Sequence, residues 1–239
     1  MSGADPQLEP VRDNLIGDAK ARLKKHDVGT KFSHLVPNKC SVLVPLLAKE
    51  GKLHLLFNLR SEKLRRSPGE VCFPGGKHEP ADVDDVATAL REAREEVGLH
   101  PHQVEVVCCL MPYLLENMLR LSLLWGFSAG LFNLLQGPSH TMDCWLLPTT
   151  FFWNSPEVYY QTHQIKFGHH IIVHCFEYTD PQNGVTYHIR GLTANLAVLV
   201  ALIILEKRPT FEVDYNLDDL IASSEEYFLK LYKSATSKL

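Results

Sequence analysis

The stretch Gly75-Gly76-Lys77-His78-Glu79-Pro80-Ala81-Asp82-Val83-Asp84-Asp85-Val86-Ala87-Thr88-Ala89-Leu90-Arg91-Glu92-Ala93-Arg94-Glu95-Glu96-Val97-Gly98-Leu99 decides how this chain folds. Its second half reads as a helix from Asp84 to Val97. Asp82 is the expected N-cap, acidic residues fill the first turn, and Gly98 stops the helix. A helix advances ~100° per residue, so Glu92, Glu95 and Glu96 fall on one face within an arc of ~100°. Like charges so spaced repel by about a few tenths of a kcal/mol on a bare helix. A divalent cation reverses that sign, and hard carboxylate oxygens favour Mg²⁺ or Mn²⁺, which bind substrate phosphates directly. The same three residues also fit a plain solvated face, and the residues upstream weigh against that reading.

Residues 56–76 read Leu56-Phe57-Asn58-Leu59-Arg60-Ser61-Glu62-Lys63-Leu64-Arg65-Arg66-Ser67-Pro68-Gly69-Glu70-Val71-Cys72-Phe73-Pro74-Gly75-Gly76. Arg60, Lys63, Arg65 and Arg66 crowd one short loop, and arginine grips phosphate oxygens in a bidentate way. Gly75-Gly76 lets the backbone pass close to a ligand or metal. Before the loop, Ser41–Leu47 and Lys52–Leu59 flank Lys49-Glu50-Gly51 as a β-hairpin, and residues 11–25 form an amphipathic helix carrying Val11, Leu15, Ile16, Ala19 and Leu23. After the acidic helix, Val104–Leu110 reads as a strand. Phe167–Arg190 reads as a second hairpin turning at Asp180-Pro181 and Asn183-Gly184, with His170, Ile172, His174 and Phe176 on one face. Thr193–Glu206 is apolar nearly all round and is expected to be a buried helix. That order predicts an α/β fold, a mixed β-sheet covered by helices on both sides.

Gly76 through Leu99 resembles a Nudix box, whose generic form is G-x5-E-x7-R-E-U-x-E-E-x-G-U, with U apolar. Gly76, Arg91, Glu92, Ala93, Glu95, Glu96, Gly98 and Leu99 match it. Asp82 stands where Glu is usual, and eight residues separate it from Arg91 rather than seven. The longer spacing is similar to that of the coenzyme A diphosphatase branch of the family. So is the upstream run, in which Leu56, Phe57, Arg60, Ser61, Arg65, Gly69, Phe73, Pro74, Gly75 and Gly76 fit that branch's signature and Asn58 replaces a Thr. Gly191-Leu192-Thr193-Ala194 also looks like this branch.

The resemblance implies a Nudix-type α/β/α sandwich and metal-dependent hydrolysis of the diphosphate bond of coenzyme A or acyl-CoA. The products would be 4′-phosphopantetheine, or its acyl form, and adenosine 3′,5′-bisphosphate. It implies Glu92, Glu95 and Glu96 as ligands of Mg²⁺ (or Mn²⁺), with the Gly76 carbonyl as a further donor, and Arg91 as the partner that fixes a glutamate. Arg60, Arg65, Gly75 and Gly76 would bind substrate, and the general base is one of the glutamates or a residue of segment 116–153. Two other readings stay open: hydrolysis of another nucleoside diphosphate such as ADP-ribose or NADH, and a catalytically impaired nucleotide-binding isoform.

Segment 116–153 breaks the pattern. No charged residue occurs from Leu121 to Met142, and the runs that related enzymes carry there are absent. Its apolar part, Leu121–Leu135, is short of the roughly 20 residues of a membrane span. The expectation is a buried or poorly folded segment, with a central strand and part of the substrate pocket altered, and no stable membrane insertion. Three regions follow: an N-terminal helical extension (1–36), a hydrolase domain (37–206) and a C-terminal tail (207–239).

A net charge of -4 gives no global field for nucleic acid, so phosphates must be met by local cations or metal. Cys40, Cys72, Cys108, Cys109, Cys144 and Cys175 include no C-x-x-C pair and read as reduced thiols. The first 30 residues lack an apolar signal sequence. Ser237-Lys238-Leu239 is the tripeptide read by the peroxisomal import receptor, so a peroxisomal location is expected. His163, His169, His170 and His174 are expected on a strand surface rather than at a metal, and the chain is expected to be a monomer.

Overall fold

In the first hairpin, β1 (Lys39–Lys49) and β2 (Lys52–Leu59) pair antiparallel, with Leu46 opposite Leu55 and Lys49 opposite Lys52. Glu50 and Gly51 make the turn at φ 51° and 69°, the left-handed pair that matches strand twist. This is a computed structural model of the chain; it describes residues 8–36, 38–63, 68–115, 119–128, 144–153, 155–166, 169–181, 183–213 and 217–236. Arg65 and Ser237-Lys238-Leu239 lie outside the described residues.

Around the hairpin a seven-stranded mixed sheet assembles. β3 (Val71–Cys72) and β7 (Cys144–Pro148) pair with β2. β4 (Gly75–Lys77) pairs with β1. β6 (Leu119–Ser128) runs parallel to β1, and β5 (Val104–Leu115) closes the far edge antiparallel to β6. A second sheet of three strands is formed by β8 (Tyr159–Lys166), β9 (His169–Thr179) and β10 (Thr186–Arg190).

Helices cover both faces of the main sheet. On one face α2 (Asp85–Val97) lays Ala89, Ala93 and Val97 on Leu43, Leu47, Leu56 and Leu124. On the other, α1 (Leu8–Lys24) and α3 (Leu192–Leu205) pack on Val44, Leu55, Phe57, Leu123 and Trp125. α3 is buried nearly all round, as its composition predicts. α4 (Leu220–Thr236) sets Phe228 and Leu231 against Met111, Leu114, Phe32 and Val36. Thus α1 and α4, which the sequence places outside residues 37–206, both supply buried side chains.

Segment 116–153, expected to be buried or poorly folded, shows burial among its described residues. Its first part is no poorly folded stretch: β6 sits between β1 and β5, and Leu121, Leu123, Leu124 and Trp125 are buried. A central strand covered on both faces needs an unbroken apolar run rather than alternation. Residues 129–143 lie outside the described residues. No helix among the described residues is long and apolar enough to cross a membrane. All six cysteines are free thiols.

His174 corrects the expectation of surface histidines. It is 2% exposed, and its Nδ1 lies 2.9 Å from the Tyr159 hydroxyl. β9 turns the His174–Phe176 face inward under α3, where a polar ring is tolerated because it is hydrogen-bonded. His163 and His170 are exposed.

Candidate functional site

The N-cap of α2 lies two residues later than Asp82. Asp84 is the N-cap: its carboxylate accepts from the Ala87 N–H at 2.7 Å. Gly98, at φ 71°, closes the helix by donating to the Ala93 and Arg94 carbonyls. Burial of the Ala89–Ala93–Val97 stripe fixes the rotation of the helix. Glu92 and Glu96 flank that stripe and are half-buried, while Glu95 points outward at 59% side-chain exposure.

Asp82 serves instead as the anchor of Arg91. Arg91 Nε and Nη2 donate to the two Asp82 oxygens at 3.0 and 3.1 Å. The same Nη2 donates to the Lys77 carbonyl at 2.9 Å, and Nη1 donates to Glu92 at 3.0 Å and Glu95 at 3.4 Å. Asp82 also accepts from the Glu79 N–H and the Thr88 hydroxyl, both at 2.9 Å. Its carboxylate is 4% exposed, and the Arg91 hydrogen bonds hold its pKa well below the usual range. Such a carboxylate contributes stability that is complete above its unfolded value of about 3.9 and is lost as pH falls below it. Asp82→Asn is therefore expected to be clearly less stable than the parent in urea at pH 7, with the gap narrowing between pH 4 and pH 2. An unchanged gap at acid pH would refute the assigned pairing.

Across from α2, Gly75-Gly76 permits a close approach that no side chain allows. A Cβ on Gly76 would overlap the Glu92 carboxylate, and one on Gly75 would lie 2.5 Å from the Ser41 carbonyl of β1. Glu96 accepts from the Gly75 N–H at 3.1 Å and from Asn58 Nδ2 at 3.3 Å. Asn58 is fully buried and also receives the Cys72 thiol at 3.4 Å. Arg60, at the end of β2, reaches Cys72 by a hydrogen bond and acts electrostatically on Glu96. Burial, reinforced by the charge of Glu92 and opposed by the Gly75 N–H and Arg60, pushes the Glu96 pKa up to about 7. Glu92 is raised too, by burial and then by Glu95 and Glu79, with Arg91 opposing.

Two half-buried carboxylates of raised pKa side by side are a site short of positive charge, and oxygen donors of this kind suit a hard divalent ion. The donor chemistry therefore fits a hard divalent cation at Glu92 and Glu96. Among the described residues, however, no group of three His, Cys, Asp or Glu side chains converges tightly enough to hold an ion. Glu95, turned toward Arg91, would have to swing inward to join the pair.

Among the sequence-derived site residues, the structure brings Glu92, Glu96, Gly75, Gly76, Arg91 and Arg60 together and leaves Glu95 at the rim. Sequence reasoning missed Asn58 as the neighbour of Glu96 and Asp82 as the anchor of Arg91. It also missed Asp85, which receives Arg120 of β6 at 3.0 Å from both oxygens. The signal for Asp82 was present: it occupies the acidic position of the motif.

A glycine-backed carboxylate helix on a mixed sheet, with helices on both faces, places the chain in the Nudix hydrolase family, to which it belongs. A profile of the NUDIX domain matches residues 37–116. The chain is 57% identical over 224 residues to "Peroxisomal coenzyme A diphosphatase NUDT7" of Mus musculus, covering 94% of each chain. It is 33% identical over 178 residues to "Nudix hydrolase 15, mitochondrial" of Arabidopsis thaliana, covering 73% of this chain and 61% of that one. A solved mutT/nudix family protein from Listeria innocua is 17% identical, with a TM-score of 0.38 over 48% of this chain and 80% of that one.

Proposed function

We propose that this Nudix hydrolase cleaves the diphosphate bond of coenzyme A and acyl-CoA in the peroxisome, giving 4′-phosphopantetheine or its acyl form and adenosine 3′,5′-bisphosphate. The observation that carries this reading is the Glu92–Glu96 pair against Gly75-Gly76, in a chain 57% identical along 94% of its length to a peroxisomal coenzyme A diphosphatase. Residues 37–206 are read as the hydrolase domain, between an N-terminal extension (1–36) and a C-terminal tail (207–239).

Glu92 and Glu96, joined by Glu95, would hold Mg²⁺ or Mn²⁺. A divalent ion supplies charge neutralisation at the diphosphate oxygens, which otherwise repel an attacking water. Arg91, itself clamped by Asp82, holds the Glu92 carboxylate so that its free oxygen keeps one direction. Arg60, beside Glu96, grips a substrate phosphate, as does Arg65. The Gly75 and Gly76 backbone, free of side chains, allows that phosphate to approach the carboxylates. The protein is read as a monomer.

The direct test is incubation of the purified protein with coenzyme A and Mg²⁺ and identification of the products by mass. Release of 4′-phosphopantetheine and adenosine 3′,5′-bisphosphate is expected, with none in EDTA. Cleavage of ADP-ribose in preference to coenzyme A would overturn the substrate assignment.

A further inference from the structure

A cavity of about 460 Å³ lies between β5, β9, the start of α3 and α4, and neither Glu92 nor Glu96 lines it. This lies in the range of roughly 300–1,000 Å³ of small-molecule sites. Leu110, Leu114, Leu192, Leu199, Phe228 and Leu231 make up much of its wall, and among the described residues no Lys, Arg, Asp or Glu lines it. Such a lining cannot offset the charge of a phosphate, so the cavity does not hold the nucleotide end of a ligand. It suits a neutral, flexible, apolar group.

Its position relates it to the carboxylate site in two ways. Across the main sheet, Leu110 pairs with Leu123, Leu123 with Val42, and Val42 with Gly75. Three strand spacings at ~4.8 Å put the cavity wall ~14 Å from Gly75. At its α3 end, Leu192 and Asn195 line the cavity, while Thr193 between them donates to the Val71 carbonyl at 3.1 Å. Val71 precedes Cys72, which contacts Asn58, which contacts Glu96. The extended pantetheine arm of coenzyme A is long enough to cover such a distance.

We propose that this cavity receives the aliphatic chain of an acyl-CoA while its diphosphate lies at Glu92 and Glu96. This rests on the hydrolase reading above and adds a second, apolar subsite to it. Each methylene moved from water into an apolar wall favours binding roughly fourfold. A medium chain thus gains far more than the tenfold that a titration resolves.

The test is titration calorimetry of the full chain in EDTA with coenzyme A and with octanoyl-CoA, together with turnover of both in Mg²⁺. The octanoyl ester is expected to bind at least tenfold tighter. Ser224→Trp, which fills the cavity from α4, is expected to reduce that preference, and the octanoyl-to-free ratio of kcat/KM, at least tenfold. Ile172→Trp fills it from β9 and serves if the first variant fails to fold. Equal affinity of the parent for both ligands, or an octanoyl preference retained in a folded filled variant, overturns the proposal. If both ligands bind with the expected preference and neither is cleaved, the hydrolase reading fails while the apolar subsite stands. If neither binds in EDTA and neither is cleaved in Mg²⁺, both fall.

Discussion

Glu96→Gln is expected to lower Mg²⁺-dependent turnover of coenzyme A by more than a hundredfold and yet to raise the melting temperature of the metal-free protein. Both effects come from one burial. A glutamate in an unfolded chain titrates near pH 4.3, whereas Glu96 in the folded protein titrates at about 7. Folding therefore takes up a proton between those values, and at higher pH the ionised carboxylate opposes folding. Glutamine keeps the oxygen that accepts from Gly75 and removes the charge. After allowance for the solvent that reaches the group, the relief is about 1 kcal/mol, or roughly 2–4 °C in a chain of this size. For catalysis the sign reverses, because a neutral amide is a poor ligand for a divalent ion. The loss is expected to exceed the 10–100-fold that outer-shell partners cost. Calorimetric melting in EDTA and turnover in Mg²⁺ read the two effects separately. Retained turnover would remove Glu96 from the metal site, and a lowered melting temperature would make it a structural residue.

Arg120→Ala is expected to destabilise the fold by about 3 kcal/mol or more, the cost of leaving half of a buried ion pair without its partner. The Arg120 side chain is 3% exposed. It donates to both oxygens of Asp85 at 3.0 Å and to the Ser122 hydroxyl at 2.6 Å. Ser122 donates in turn to Asp85 at 3.0 Å. Asp85 is the first residue of α2, so this cluster ties β6 to the helix that carries Glu92 and Glu96. Urea unfolding would show the loss. In a double-mutant cycle, Arg120→Ala and Asp85→Asn should together cost less than the sum of the single changes. A change within about 0.5 kcal/mol, the range of ordinary surface substitutions, would show that the cluster does not hold β6 to α2.

The elements read correctly from sequence are those whose pattern is local. The β1–β2 hairpin announces itself through Glu50-Gly51, where both residues take positive φ. α2 shows in its acidic first turn and in the Gly98 that stops it, and α3 in a composition that only a buried helix tolerates. Elements defined by their neighbours were less legible. β6 carries no period because both of its faces are covered, so its uncharged run resembles a misplaced segment until β1 and β5 are seen beside it. The second face of β9 looked exposed because nothing in the sequence shows that α3 lies over His174.

The sequence by itself determined that Glu92, Glu95 and Glu96 lie along one helix, because the helical repeat is a property of the backbone alone. It also determined that a glycine pair stands before them. Only the tertiary structure decided what each acid does. Packing of Ala93 on the sheet turned Glu92 and Glu96 toward Gly75-Gly76 and Asn58 and left Glu95 in water. It gave Asp82 to Arg91 and the helix cap to Asp84. A carboxylate's pKa and partners depend on what surrounds it in space, and those surroundings come from strands far away in the chain.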